Sequence, residues 1–406
     1  MTEYLPREIA PRLEQAMRVL PVAVLSGLRQ TGKSTMLQRE ESLATGRTYR
    51  TLDDFATLAA AQENPESLLT DSAILDEVQR CPELLLALKK AVDEQRRPGR
   101  FILSGSANLA LLSHVSETLA GRAAYFTLHP MTRREVRHST SQPLFLAEFL
   151  RTRTLPDEAA EPVADQEVLV GGLPPACLGP ADAVPEWFRG YVQTYVERDV
   201  RQLSQITDLV AFRTLAQLAA LRTGQVLVIS TLARDAKLSA ATAGRYLNLL
   251  EASFLIRRLP PFLKNRSLRL IKSPKLYVTD SGLAAYLAGV DHLEPGRDDL
   301  LRGALYETYV AQNLAALLEA YLPDAQLAYW HEQGRREVDF VIEAGRNVVA
   351  IEVKAATRWD ESDLAGLHAF ANRTPACIAA VLAYNGREAV QLSERLFAIP
   401  LGHLLG

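Results

Sequence analysis

Residues 26–35 read SGLRQTGKST, directly after the apolar run Val22-Ala23-Val24-Leu25. Gly27 and Gly32 are followed by Lys33-Ser34-Thr35, which satisfies the pattern GxxxxGK(S/T). Glycine tolerates left-handed backbone, so such a loop turns tightly and aims successive N–H groups inward at phosphate oxygens. A helix beginning near Lys33 adds the positive end of its dipole. The loop therefore needs a buried strand before it and a helix after it, which points to an α/β domain around a parallel sheet. In that frame Gly27, Leu28, Arg29, Gln30, Thr31, Gly32, Lys33, Ser34 and Thr35 cradle the phosphates of ATP. Lys33 is expected to reach the β and γ phosphates, and the Ser34 hydroxyl to be a ligand for Mg2+.

A second apolar run, Ala73-Ile74-Leu75, ends in Asp76-Glu77. Open α/β sheets bind ligands beyond the carboxyl ends of their strands. Asp76 is expected to hold Mg2+ through a water and Glu77 to polarise the water that attacks the γ-phosphate. A third run, Phe101-Ile102-Leu103, leads into Ser104-Gly105-Ser106-Ala107-Asn108. Ser104 or Asn108 can sense the γ-phosphate there, or cap the helix that follows; the residues leave both readings open. Arg122 precedes an expected strand at residues 124–128 and reads either as an arginine finger offered to a neighbouring subunit or as a structural arginine.

Taken with YLPR at residues 4–7, LDD at 52–54, ILDEVQR at 74–80 and LAGR at 119–122, these segments resemble a bacterial and archaeal family. It comprises AAA-type P-loop ATPases (AAA_14-like) joined to a domain of unknown function of the DUF4143 type. The resemblance spans nearly the whole chain and implies an AAA-like core, ATP hydrolysis with Mg2+ and a capacity to form homo-oligomers.

With 406 residues the chain exceeds one average core. The expected division is an ATPase domain at 1–150, a linker at 151–170 rich in Pro, Ala and acids, a helical and winged-helix region at 171–295, and a last domain at 296–406. A net charge of −3 excludes a uniformly basic coat and leaves local basic faces to be sought. Cys81, Cys177 and Cys377 are far apart, which excludes a disulfide framework and a zinc knuckle and suits a reducing cytoplasm. The start lacks a signal-peptide pattern, and no apolar run approaches the ~20 residues of a membrane span, so a cytoplasmic protein without membrane contact is expected.

In the middle region residues 187–202 read as a helix. Residues 227–258 have a helix-turn-helix rhythm. Ser230 caps a helix at 231–236, Lys237-Leu238 turns, and Ser239 caps a helix at 240–251 whose buried stripe is Leu247, Leu250 and Phe254. Residues 255–259 and 275–279 can pair as the wing of a winged helix. Arg257, Arg258, Lys264, Arg266, Arg269, Lys272 and Lys275 follow, with no acid between 254 and 275. Such a cluster suits the phosphate backbone of double-stranded DNA, where released counterions supply the affinity. The alternative is a winged helix that meets protein partners.

Glu307 falls on an expected helix at 301–318, and strands at 336–342 and 348–354 are joined by a turn at 344–347. Alternation puts Ala350, Glu352 and Lys354 on one face, where a hairpin brings Asp339 beside them. That set suits metal-assisted phosphodiester cleavage, with Asp339 and Glu352 holding Mg2+ and Lys354 orienting the water or stabilising the transition state. The spacing resembles the PD-(D/E)XK nuclease superfamily, in which Glu307 matches the helical acid of the metal set; Val338 stands where that pattern has proline. The expected whole is α/β throughout its two ends, around a winged-helix middle: an ATP-driven DNA-processing enzyme. The alternative is a nucleotide-regulated switch or scaffold with protein partners and an inactive nuclease fold.

Overall fold

The computed structural model describes residues 4–106, 119–199, 206, 208–263, 265–293, 299–332 and 336–406. Two compact units emerge: one holds residues 1–129 with the short stretches 252–254 and 319–321, the other holds 130–251, 255–318 and 322–406.

The first unit is built on a five-stranded parallel sheet of β1 (Val22–Ser26), β2 (Thr48–Thr51), β3 (Ala73–Asp76), β4 (Phe101–Gly105) and β5 (Ala123–Thr127) in the order β2-β3-β4-β1-β5. Alternate residues of β1, β3 and β4 enter opposite cores. Val22, Val24, Leu75, Phe101 and Leu103 join one, and Ala23, Leu25, Ile74 and Ile102 the other. Burial on both faces is why these strands are continuous apolar runs rather than alternating ones. Insertion of β4 between β1 and β3 sets the carboxyl end of β4 between the loop after β1 and the acids after β3.

The second unit carries two sheets. Helices Ile229–Asp235 and Ala240–Ala252 are joined by a tight turn in which Lys237 takes a left-handed φ of 56°. They are followed by β7 (Ile256–Leu259), which pairs antiparallel with β8 (Lys275–Val278); β6 (Gln225–Val226) pairs on the other edge of β8. The helix expected at residues 187–202 is divided: Val184–Tyr191 is α-helical, Val192–Asp199 is wound more widely as a π-helix, and residues 200–202 lie outside the described residues.

The long helix Asp299–Tyr321 precedes a six-stranded sheet of β9 (Gln326–Glu332), β10 (Arg336–Ala344), β11 (Asn347–Lys354), β12 (Cys377–Tyr384), β13 (Val390–Gln391) and β14 (Leu396–Pro400). Strands β9, β10 and β11 are antiparallel neighbours, whereas β11, β12 and β14 run parallel. The parallel step from β11 to β12 is made through the helix Ala365–Arg373, whose Leu367 and Phe370 pack on Val338, Val341 and Ala350.

The segment expected as a linker, 151–170, is instead packed into the second unit, which begins at Pro130 rather than near residue 150. The Ala160 amide donates to the Arg387 carbonyl at 2.8 Å and the Val163 amide to Asn385 Oδ1 at 2.8 Å. A Pro- and Ala-rich composition suggests a free connection only while its backbone groups have no partners, and here they have them. The three cysteines form no disulfide. Among the described residues no helix is long and apolar enough to cross a membrane.

Candidate nucleotide site and a buried carboxylate cluster

The glycine loop leaves β1 and enters the helix Lys33–Arg39. Gly27 has a φ of 153°, and a Cβ there would lie 2.3 Å from the Leu128 carbonyl oxygen; Gly32, at φ 91°, caps the helix in a left-handed conformation. Both positions therefore require glycine. Leu28 and Thr31 are buried and hold the loop from inside, the Thr31 hydroxyl donating to the Leu28 carbonyl at 2.8 Å, while Arg29, Gln30 and Thr35 are exposed. Lys33 is buried, and its Nζ donates to the carbonyls of Gly27 at 2.9 Å and Leu28 at 3.0 Å. Burial lowers its pKa to about 8, against the pull of Glu77 and Asp76.

Asp76 is the meeting point of this site. Its Oδ2 accepts from the Ser34 hydroxyl at 2.6 Å and the Tyr49 hydroxyl at 2.5 Å. Its Oδ1 accepts from the Ser104 hydroxyl and from the Glu77 amide. Ser34 and Asp76, 42 residues apart, are thus within hydrogen-bond reach of each other, and a hydroxyl beside a carboxylate is an oxygen donor pair of the kind that hard cations such as Mg2+ use. Ser104, expected as a sensor or a cap, lies on β4 and donates to the strand-end acid. Glu77 stands directly after β3 with a left-handed φ of 58°. A non-glycine residue held there is a costly conformation that surrounding structure must enforce. Its carboxylate accepts from Gln79 Nε2 and, at 3.4 Å, from the Ser106 hydroxyl, and burial raises its pKa above the usual carboxylate range.

Two residues of this site carry no recognisable sequence signal of their own. Buried Arg7 donates to the carbonyls of Thr31 at 2.6 Å and His129 at 2.7 Å, tying the loop to the chain segment after β5. Tyr49 on β2 reaches Asp76, and burial raises its pKa to about 12. Arg7 belongs to the YLPR segment, which is marked only as part of the resemblance.

Arg122 sits at the amino end of β5, where its carbonyl accepts from the Val22 amide. The glycine loop instead leaves the carboxyl end of the neighbouring parallel strand β1. The Arg122 guanidinium grips both oxygens of Asp93, at 2.6 and 2.9 Å. The arrangement is that of the structural arginine. Asn108 lies outside the described residues.

In the second unit the expected acids do converge, together with a lysine that had been assigned elsewhere. Asp339 lies on β10 where the register against β9 shifts by one residue between Val338 and Val341, a bulge of the kind that re-aims a side chain. The regular ladder to β11 runs from Phe340↔Ile351 to the hairpin turn, and Asp339 Oδ2 accepts from the Val353 amide at 3.0 Å. Its other oxygen accepts from Lys275 Nζ at 3.0 Å. The same Nζ lies 2.9 Å from Glu307 Oε1, which also accepts from the Tyr277 hydroxyl. Lys275 and Tyr277 project from one face of β8, as residues two apart on a strand must. Burial disfavours the Lys275 ammonium, but Asp339 and Glu307 outweigh it and raise the pKa. Burial, then Asp339, pushes Glu307 up to about 8, and the same two causes carry Glu352 well above the carboxylate range. Glu352 Oε2 is buried without a hydrogen-bond partner, and Lys354 Nζ lies 3.9 Å from Glu352 Oε1 and 3.2 Å from Asp363 Oδ1.

Two expectations change accordingly. Glu307, Asp339 and Glu352 do not form a metal set: among the described residues no group of three or more His, Cys, Asp or Glu is placed to hold an ion. The ammonium of Lys275 stands between Glu307 and Asp339 instead. Nor is the basic run a free phosphate-binding face. Lys275 is buried, Arg269 pairs with Glu343 at 2.7 Å and donates to the Leu263 carbonyl, and Arg258 lies 3.5 Å from Glu251. Arg257 is half-buried on β7, and Lys272 is exposed. Lys264 lies outside the described residues, as does the side chain of Arg266. A run of basic residues marks charge, and only packing decides which charges are spent inside.

Three family models match along the chain: an AAA domain at residues 20–137, and two domains of unknown function, DUF8612 at 163–294 and DUF4143 at 302–404. The uncharacterized protein Rv2008c of Mycobacterium tuberculosis is 31% identical over 402 residues, covering 98% of this chain and 84% of the relative. The uncharacterized protein Mb2031c of Mycobacterium bovis matches to the same extent. Among solved structures, the RuvB Holliday junction branch migration motor of Thermotoga maritima aligns with 66% of this chain and 95% of its own, at 18% identity and a TM-score of 0.31. A signal transduction ATPase with a tetratricopeptide repeat sensor from Pyrococcus horikoshii aligns with 78% of this chain and 48% of its own, at 14% identity and a TM-score of 0.26. At such scores these two likenesses carry no weight beside the strand order and the family models.

Proposed function

Because this chain belongs to the family of the mycobacterial proteins Rv2008c and Mb2031c and carries an AAA domain at residues 20–137, we propose that it hydrolyses ATP with Mg2+ and couples that turnover to double-stranded DNA. The observation that carries the first half is the 2.6 Å contact of Ser34 Oγ with Asp76 Oδ2, beside the buried Lys33. Ser34 and Asp76 would hold Mg2+, which supplies neutralisation of the phosphate charge that builds during transfer. Lys33 would exchange its two loop carbonyls for phosphate oxygens, and the N–H groups of residues 27–35 would line the anion. Glu77, its pKa raised by burial and its backbone held at positive φ, is positioned to take up the proton of an attacking water.

The lysine makes this reading testable by pH. Burial favours its neutral form, so in the free protein Lys33 gives up its proton near pH 8 rather than near 10.5. Phosphate requires the ammonium. ATP affinity is therefore expected to fall above pH 8, by up to about tenfold per pH unit, and binding there takes up a proton. Calorimetry at alkaline pH in two buffers of different ionisation enthalpy reads that proton directly; identical heats in both would contradict the assignment.

The DNA half of the proposal rests on the two helices Ile229–Asp235 and Ala240–Ala252 and the strand pair that follows, an arrangement that suits a winged helix. The exposed residues of the second helix include Arg245 and Asn248, and Lys237 is exposed in the turn. Arginine and asparagine suit base edges, and lysine suits phosphate. Duplex DNA is expected to bind with an affinity that falls as salt rises, and to stimulate ATP hydrolysis. Lys237→Ala should lower the slope of log affinity against log salt by about 1. A second reading, a nucleotide-regulated switch with a protein partner, is favoured by the pairing of Arg258, Arg269 and Lys275 with acids. Fluorescence anisotropy that shows no duplex binding at low salt would decide for it.

A further inference from the structure

We infer that the carboxylate cluster of the second unit carries its own resident cation, the Lys275 ammonium, and that this lysine excludes divalent metal from Glu307, Asp339 and Glu352. A metal site needs carboxylates whose free oxygens converge on one point, with no fixed charge already there. Here that point is occupied. Lys275 Nζ donates to Glu307 Oε1 at 2.9 Å and to Asp339 Oδ1 at 3.0 Å, and the side chain is 1% exposed. Asp339 Oδ2 accepts the Val353 amide, and the Glu307 oxygen that the lysine holds also accepts from Tyr277, which leaves Glu352 Oε2 as a buried oxygen without a hydrogen-bond partner. The cation comes from β8, the carboxylates from the helix Asp299–Tyr321 and from β10, so the contact fastens three elements. A monovalent ammonium offers donors and no exchangeable coordination position, so it cannot activate a water as a bound metal does. The cluster is a fastening, and the domain does not cut DNA.

Mn2+ alone is the probe, added to the full-length, nucleotide-free chain and followed by the spectroscopic signal of the free ion. The original chain and an Asp339→Asn variant are expected to bind equal amounts up to about 1 mM, the weak end of protein sites for such cations. One additional ion bound by the original chain, and lost with Asp339→Asn, would overturn the inference. Lys275→Met removes the cation and leaves the acids facing each other, so it should gain one bound Mn2+; a folded Lys275→Met chain that gains none would equally overturn it. Burying unpaired carboxylates is costly, and that variant can fail to fold. Supercoiled plasmid then decides on the original chain alone. It should stay intact with Mg2+ or Mn2+, whereas nicking abolished by Lys354→Ala would refute the assignment. None of these readouts involves the phosphate loop, so their outcome is separable from that of the ATPase reading.

Discussion

Lys33→Ala should cost on the order of a hundredfold or more in ATP affinity, corresponding to about 2.7 kcal/mol. The ammonium is buried and its donors already sit on the loop, at 2.9 and 3.0 Å from the Gly27 and Leu28 carbonyls. Charge-assisted hydrogen bonds to a phosphate contribute more than neutral ones, and two are removed at once. The strand-loop-helix frame does not rest on that side chain, because Gly27 and Gly32 set the backbone and Arg7 ties it to His129. Isothermal titration of ATP-Mg2+ into both proteins measures the effect, with circular dichroism as the control for folding. Unchanged affinity in a folded variant would remove the loop from the nucleotide site and the ATPase reading with it.

Glu77→Gln should separate binding from chemistry. The substitution keeps size and hydrogen-bonding capacity, so the contacts to Gln79 and Ser106 have replacements and the backbone at φ 58° is not asked to change. What disappears is the group able to accept a proton. Nucleotide affinity is expected to stay within about twofold, while steady-state phosphate release falls by ~10²–10³-fold, the usual contribution of a positioned general base. Turnover at the original rate would mean that another side chain prepares the water.

The phosphate loop, the strands before and after it and the acids at residues 76 and 77 were legible because their signal is local: an apolar run, a glycine spacing, a charge at a strand end. The hairpin of β10 and β11 was legible for the same reason, its alternation and turn lying within a score of residues. Chemistry assigned from type alone fared less well. Lys275 reads as one more member of a basic run, yet its partners Glu307 and Asp339 lie 32 and 64 residues further on. Arg7 reads as an arginine near the start, yet it bonds carbonyls 24 and 122 residues away. Arg122 reads either as a finger or as a structural arginine, and only its pairing with Asp93 favours the second.

By itself the sequence determined where a glycine loop joins a buried strand to a helix and which acids stand beyond the strand ends, because glycine φ preferences and burial periodicity act over a few neighbouring residues. The tertiary structure alone decided which charges neutralise one another. A buried ammonium and a carboxylate must pair to offset their lost hydration, and the chain satisfies that requirement through partners that no local pattern announces.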